Sequence, residues 1–156
     1  TYRDSYDLYA CTGFLSNHES PLRHDRFVTK KIINGVKDIK NGNLDKLRVG
    51  NIDIQRDWGW APKYVEAMYL MLQNKSPKDY IIATGKTTPL SFFVEKTFEM
   101  ANLNLDKYLE ICDAFKRPSE LDFSSLDPKK IKKDLNWECK LSLEEIIEKM
   151  YNDLEY

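Results

Sequence analysis

Three polar segments that lie far apart along this sequence each carry at least one arginine. An arginine guanidinium can donate two parallel hydrogen bonds to one phosphate, so it is the side chain best suited to hold a phosphate group. Taken singly, each such residue is more often part of a surface ion pair. Three arginine-bearing segments together predict a site that surrounds a diphosphate. The residues are Arg23, Arg26, Lys30 and Lys31 in the first segment, Arg56 in the second and Arg117 in the third, with Asn17 and Glu120 beside them.

The first basic segment begins where an apolar run ends. Residues 9–15 (YACTGFL) are typical of a buried strand, and the polar residues 17–31 follow almost directly. Ligands in open α/β sheets bind beyond the carboxyl ends of the strands, so the segment stands where a binding loop is expected. An alternative stays open, in which it is a solvated surface loop with charges of both signs.

Hydrophobic spacing predicts helices separated by short strands. Residues 26–42 are expected to form a helix that Asn41 and Gly42 end. A second helix is expected within residues 56–77, because its apolar residues recur at helical spacing. The predicted buried stripe of this helix consists of Tyr64, Val65, Met68 and Leu72, with Met71 beside it.

Three further helices are marked by the residues at their starts. In two of them a polar N-cap residue precedes a proline at the first helical position, and the third has a capping box. The pairs are Thr88 with Pro89, Asp127 with Pro128, and Ser142 with Glu145. Short strands are predicted at residues 46–51 and 79–85. The whole pattern is that of a mostly helical α/β protein.

The composition indicates a folded protein and excludes several functions. Of the 156 residues 42% are hydrophobic, and the net charge of −1 gives no basic field for binding nucleic acid. The sequence has no glycine-rich phosphate loop, and its two histidines lack a spaced carboxylate for a triad or metal site. The apolar runs are too short for a membrane span. Three widely spaced cysteines, Cys11, Cys112 and Cys139, predict reduced thiols in a cytoplasmic protein.

Several motifs carry a resemblance to a known family. The motifs occur in this order: NHESP followed by FVTKK, then GNIDIQRDWGWAPKYVEAMYLML, YIIATG, KRPSELD and DPKKIKKDLNW. Together they resemble the C-terminal half of the GDP-mannose 4,6-dehydratases, which are extended short-chain dehydrogenases/reductases. The similarity extends from about residue 7 to residue 150.

The resemblance implies an α/β fold, the mostly helical substrate-binding part of an NAD(P)-binding Rossmann-like enzyme. Residues 1–16 are expected to be a late strand region of the Rossmann sheet, and residues 17–156 the nucleotide-sugar-binding part. The N-terminal Rossmann half, with its glycine fingerprint and Tyr-x-x-x-Lys, is expected to be absent from this chain. No catalytic residue is therefore expected within it.

The resemblance also implies a reaction. A hydride passes from C4 of GDP-mannose to NADP, water is lost across C5 and C6, and the hydride returns at C6. The ketone at C4 acidifies the C5 proton, which makes the elimination possible. The family resemblance thus predicts a cytoplasmic lyase of GDP-fucose and deoxysugar biosynthesis. It is expected to be a homo-oligomer, a dimer or tetramer, that binds neither nucleic acid nor membranes.

The motifs carry site residues with them. The resemblance assigns NADP contacts to His18 and Arg23, which are expected to face the missing half rather than the sugar cleft. The expected diphosphate and ribose ligands include Glu120, whose carboxylate can accept hydrogen bonds from both ribose hydroxyls. The full substrate-binding set is Asn17, Lys31, Arg56, Arg117 and Glu120.

The sequence departs from the family pattern at several positions. Leu22 stands where an arginine is usual and His24 where a glycine is usual, which bears on the cofactor and intersubunit contacts. Trp60 replaces a common histidine and leaves room for a modified sugar. Two alternatives therefore stay open: a GDP-heptose 4,6-dehydratase of the same family, or a non-catalytic module that binds a nucleotide sugar or a protein, if the chain is complete as written.

Overall fold

The computed structural model describes residues 2–115 and 119–154, which form helices and short strands in alternation. The helices are α1 (Tyr2–Tyr6), α2 (Val28–Lys40), α3 (Ala61–Leu72), α4 (Leu90–Ala101), α5 (Leu105–Tyr108), α6 (Lys129–Leu135) and α7 (Leu143–Tyr151), and a 3₁₀ turn covers Asp113–Phe115. The strands are β1 (Gly13–Leu15), β2 (Asn17–Glu19), β3 (Leu47–Val49), β4 (Gln55–Arg56), β5 (Trp58–Trp60), β6 (Tyr80–Ile82), β7 (Thr88–Pro89) and β8 (Leu109–Ile111). None of the helices described has both the length and the apolar character that a membrane span needs.

The strands associate as pairs. Strands β1 and β6, β2 and β5, and β3 and β8 run parallel, whereas β4 and β7 run antiparallel. In the second pair Asn17 lies opposite Trp58, two residues after Arg56. This register places the beginning of the first polar segment beside the second. The pairing of β1 with β6 joins the two expected segments, and the boundary at residue 16 stays a prediction.

The core lies among three helices. Helices α2, α4 and α7 pack against one another through apolar side chains that are almost completely buried. Each fully buried aliphatic or aromatic side chain contributes about 1.5–3 kcal/mol of transfer free energy, so this cluster contributes substantially to stability. It comprises Ile32, Ile33 and Val36 of α2, Phe93, Val94 and Phe98 of α4, and Ile146, Ile147 and Met150 of α7.

Helix α3 buries a different face from the one predicted. Tyr64 and Met71 are buried, as expected, with Ala67 between them. Val65 and Leu72, however, are 61% and 58% exposed, and Met68 is also exposed. Both stripes are apolar and have the same spacing, so periodicity cannot choose between them. Strands β2 and β5 pack against the side of α3 that carries Tyr64, and this packing determines which stripe is buried.

The helix ends follow two of the four predicted signals. Helix α2 ends at Lys40, Gly42 has a φ of 76°, and the capping box of Ser142 and Glu145 is present. Helix α4 begins one residue later than predicted, because Thr88 and Pro89 pair with β4 and Pro89 is the N-cap. Pro128 is likewise the N-cap of α6 instead of its first residue.

The three strand predictions differ in outcome as well. The strands expected at residues 46–51 and 79–85 are present as β3 and β6. The strand expected at residues 9–15 is reduced to β1, and Phe14 at its centre is exposed. The side chain of Tyr9 instead donates hydrogen bonds to the carbonyls of Met71 and Asn74, so this part of the chain follows the end of α3.

Candidate functional site

A cavity of about 470 Å³ opens between the first polar segment, α2, and the residues around β4 and β5. Four residues predicted from the sequence line it together. They come from four separate places in the chain: Asn17 begins β2, Lys31 lies in the first turns of α2, Arg56 ends β4, and Glu120 follows the 3₁₀ turn. Their convergence agrees with the prediction, and their roles as ligands of a substrate stay predictions. Arg117 lies outside the described residues.

Strand pairing places Asn17 and Arg56. Because β2 runs parallel to β5, Asn17 is opposite Trp58, which also lines the cavity. Arg56 is held from the other side, where it pairs with Thr88 of β7, and its Nη1 donates to the Gln55 carbonyl at 2.8 Å. Two short pairs of strands thus bring an amide and a guanidinium to one wall.

Lys31 and Phe115 meet on another part of the lining. The Lys31 ammonium is 4.2 Å from the centre of the Phe115 ring, and both side chains line the cavity. Such cation–π contacts contribute about 0.5–1 kcal/mol when partly exposed. Sequence reasoning did not select Phe115, although it stands directly before the KRPSE motif. Lys30, the neighbouring candidate, lies 3.8 Å from Asp153 instead.

Arg23 lines the same cavity, so the expectation that it faces away from the cleft is wrong. Its Nε lies 3.4 Å from Glu19 Oε2, and its guanidinium stacks 3.7 Å from the centre of the Phe27 ring. The reason is the turn that precedes α2, in which the Arg23 and Phe27 amides donate to Ser20 and His24. This turn folds the segment back over the end of β2. The NADP contact assigned to Arg23 stays a prediction.

Glu19 is a further lining residue that the sequence reasoning missed. It is completely buried, and its Oε2 accepts a 2.6 Å hydrogen bond from the Thr29 hydroxyl. Burial raises the pKa of Glu19, against the opposite effects of Thr29, Arg23 and His18. Within residues 2–115 and 119–154, its Oε1 has no hydrogen-bond partner. Glu19 directly follows the assigned residues Asn17 and His18 in the NHESP motif, and this position is the signal that could have identified it.

His18 points to the other face of β2. Successive residues of a strand alternate in direction, so His18 is turned away from Asn17 and Glu19. Its ring stacks on Tyr64 with the centres 5.4 Å apart, and its Nδ1 donates to the Ser16 carbonyl at 3.0 Å. This orientation agrees with the expectation that it faces away from the cleft, and the assigned NADP contact stays a prediction.

The charges of the cavity favour an anion. Among the described lining residues four are cations, and two, Glu19 and Glu120, are carboxylic acids. The excess of positive charge suits a ligand with about two negative charges, and the arginine forks suit phosphate oxygens. The cations are Arg23, Arg26, Lys31 and Arg56.

The position of Trp60 does not support the alternative of a GDP-heptose 4,6-dehydratase, which was based on this residue. Its side chain is buried at the start of α3, where Lys149 approaches its ring at 5.6 Å, and in the described chain it is not part of the cavity lining. Leu22 is 83% exposed, and His24 is exposed as well. The part of the chain that the structure describes holds no group of three His, Cys, Asp or Glu side chains that could bind a metal ion.

Comparisons of the sequence connect this chain with known proteins. A family model described as GDP-mannose 4,6 dehydratase matches residues 1–150. GDP-mannose 4,6 dehydratase of Dictyostelium discoideum is 42% identical over 173 residues, covering 99% of this chain and 49% of the relative. GDP-mannose 4,6 dehydratase 1 of Arabidopsis thaliana is 44% identical, with 97% and 42% covered. The chain therefore spans about half the length of the curated relatives it matches.

Comparisons of the structure confirm the α/β fold class. RMD from Pseudomonas aeruginosa, solved in complex with NADPH, superimposes with a TM-score of 0.85 at 18% identity, covering 97% of this chain and 49% of that one. A dTDP-glucose 4,6-dehydratase from Bacillus anthracis, solved with NAD, gives a TM-score of 0.82 at 18% identity, with 97% and 46% covered. At such identity these likenesses bear on the fold alone.

Proposed function

The chain belongs to the GDP-mannose 4,6-dehydratase family, and from this premise we propose that it forms the GDP-sugar-binding part of such an enzyme. The observation that carries the proposal is the convergence of Asn17, Lys31, Arg56 and Glu120 on one cavity with an excess of positive charge. The family match supplies the identity of the anion, a GDP-sugar.

Each lining residue has a role that follows from its chemistry. Arg56 and Lys31 hold the diphosphate, Arg56 through its planar fork and Lys31 as a point charge kept against Phe115. Glu120 accepts hydrogen bonds from the ribose hydroxyls. Asn17 meets the sugar with an amide that both donates and accepts. Arg117 is proposed to complete the diphosphate site.

The proposed reaction converts GDP-mannose to GDP-4-keto-6-deoxymannose. Bound NADP supplies the capacity to take and return one hydride. Arg23 fits a group with phosphates and ribose hydroxyls, because Glu19 and Phe27 fix its guanidinium at the cavity wall. His18, on the opposite face of β2, is the second residue proposed to contact the dinucleotide. The chain's own contribution is to bind and orient the substrate.

The proposal also includes the cellular location and the oligomeric state of the enzyme. The three cysteines are unpaired, which supports the cytoplasmic location expected for reduced thiols. The exposed apolar side chains of Val65, Tyr69 and Leu72 on α3 support an assembly that covers them, in line with the expected homo-oligomer. Light scattering of the purified protein measures the oligomeric state directly, and a monodisperse monomer would contradict that part.

Nucleotide selectivity tests the proposal. We expect calorimetric titration of the purified chain to show binding of GDP and GDP-mannose that is at least tenfold tighter than binding of UDP and UDP-glucose. UDP-sugars carry the same diphosphate, so this comparison separates recognition of the nucleotide from simple anion binding. Equal affinities for all four ligands would reduce the site to a general anion site, and the proposed substrate would be wrong.

A further inference from the structure

A buried carboxylate joins the two strands that carry Asn17 and Arg56. Asp57 is 3% exposed and accepts four hydrogen bonds from uncharged donors. Its Oδ1 accepts from the Ser16 hydroxyl at 2.9 Å and from the Thr84 hydroxyl and amide at 2.9 and 3.1 Å. Its Oδ2 accepts from the Gly85 amide at 2.8 Å. The donors belong to the residue between β1 and β2 and to the turn after β6.

These hydrogen bonds are directional and must all be made. A carboxylate taken out of water is costly unless its oxygens are fully hydrogen-bonded, so the four donors cannot move independently of Asp57. Tyr64 extends the arrangement, since its oxygen lies 2.5 Å from Ser16 Oγ. The Ser16 hydroxyl donates its only proton to Asp57. It therefore accepts from Tyr64, whose hydroxyl is the donor of this second hydrogen bond. Burial raises the pKa of Tyr64, which keeps that donor protonated.

The position of Asp57 in the chain connects this arrangement with the cavity. Arg56 precedes Asp57, and Asn17 follows Ser16. The Ser16–Asp57 hydrogen bond therefore links the immediate neighbours of two lining residues, at the point where β2 pairs with β5. A shift of either strand would therefore lengthen the hydrogen bonds at the buried carboxylate.

We propose that Asp57 is a positioning residue for the anion-binding cavity, which holds Asn17 and Arg56 in mutual register without touching the ligand. The inference rests on the proposed function only for the identity of that ligand as a GDP-sugar. The register of Asn17 and Arg56 is held by Asp57 whatever anion binds.

The test is Asp57→Asn, which keeps the size of the side chain. It replaces one acceptor oxygen with an NH₂ group, which then faces hydroxyl and backbone N–H donors. We expect the affinity of the purified chain for GDP and for inorganic pyrophosphate to fall at least tenfold in calorimetry. We also expect the Thr84 and Gly85 amides to exchange with solvent at least tenfold faster, measured by NMR. Ile147→Val, in the core on α7, is the matched control, and it should lower thermal stability without changing either affinity.

Two milder variants keep the inference testable if Asp57→Asn does not fold. Thr84→Val removes one hydroxyl donor and should weaken pyrophosphate binding severalfold, whereas Thr84→Ser keeps the donor and should retain binding. Wild-type affinity in a folded Asp57→Asn, or equal affinity in both Thr84 variants, would overturn the inference. Wild-type protein that binds pyrophosphate but shows no preference for GDP would overturn the proposed function alone. Protein that binds neither ligand would overturn both.

Discussion

The ammonium nitrogen of Lys31 lies 4.2 Å from the centre of the Phe115 ring, so a cation and an aromatic face meet on the cavity wall. The two residues are far apart in the chain, one in α2 and the other in the 3₁₀ turn after β8. The contact holds a flexible side chain at the cavity wall without neutralising its charge. An anion therefore meets a lysine whose position is already restricted.

Replacing the ring of Phe115 should show that it restricts the position of Lys31. We expect Phe115→Leu to weaken GDP binding roughly twofold to fivefold, since the lost cation–π contact contributes about 0.5–1 kcal/mol. Calorimetric titration measures the change. Phe14→Leu is the matched control, because Phe14 is an exposed ring on β1. If both variants bind GDP like the wild type, the ring does not contribute to the site.

Arg56 should not tolerate even a lysine. Arg56→Lys keeps the charge but removes the planar fork, so we expect GDP affinity to fall at least severalfold while the melting temperature stays nearly unchanged. Arg117→Lys is expected to behave in the same way. Arg48→Lys is the control, since this arginine is exposed on β3 beside Glu110. A large drop in melting temperature would assign Arg56 a structural role instead.

Glu19 should make the folded protein less stable as pH rises. The carboxylate of an exposed ion pair has the opposite effect. The ordinary pKa of a glutamate is 4.5, and burial raises the pKa of Glu19 in the folded protein. Between the two values the folded protein keeps a proton that the unfolded chain has released. Stability therefore falls as pH rises through this window.

The variant Glu19→Gln isolates this effect. We expect the free energy of unfolding of the wild type, relative to the variant, to decrease as pH rises from about 4.5 toward neutrality, as measured by urea unfolding. Glu148→Gln, an exposed position on α7, is the control for changes in net charge. A relative stability that instead rises with pH would mean that Arg23 stabilises the charged form more than burial opposes it.

Gly59 should resist the smallest substitution. A Cβ at this position would overlap the ring of Tyr64, which packs on β5. We expect Gly59→Ala to lower the free energy of unfolding by about 1–3 kcal/mol, as overpacking does in other cores. In a Tyr64→Leu background the same change should cost much less, because the overlapping ring is gone. Equal costs in both backgrounds, measured by urea unfolding, would place the strain elsewhere.

Local signals in the sequence predicted much of the framework. Asn41 and Gly42 end α2 because a glycine readily adopts a positive φ, and the Ser142 capping box satisfies amides that any helix start leaves free. Such signals operate within a few residues. They did not reveal that Pro89 belongs to a strand pair, because its partner Gln55 lies in a distant segment.

The sequence by itself determined the family, the end of α2, the start of α7, and a set of polar residues of which Asn17, Lys31, Arg56 and Glu120 line one cavity. Only the tertiary structure decided which apolar stripe of α3 is buried and on which side of the cleft Arg23 lies. The reason is physical: both stripes have the same spacing, and a loop arginine can turn either way. Burial and direction depend on which surface packs against them, and that surface comes from segments distant in the chain.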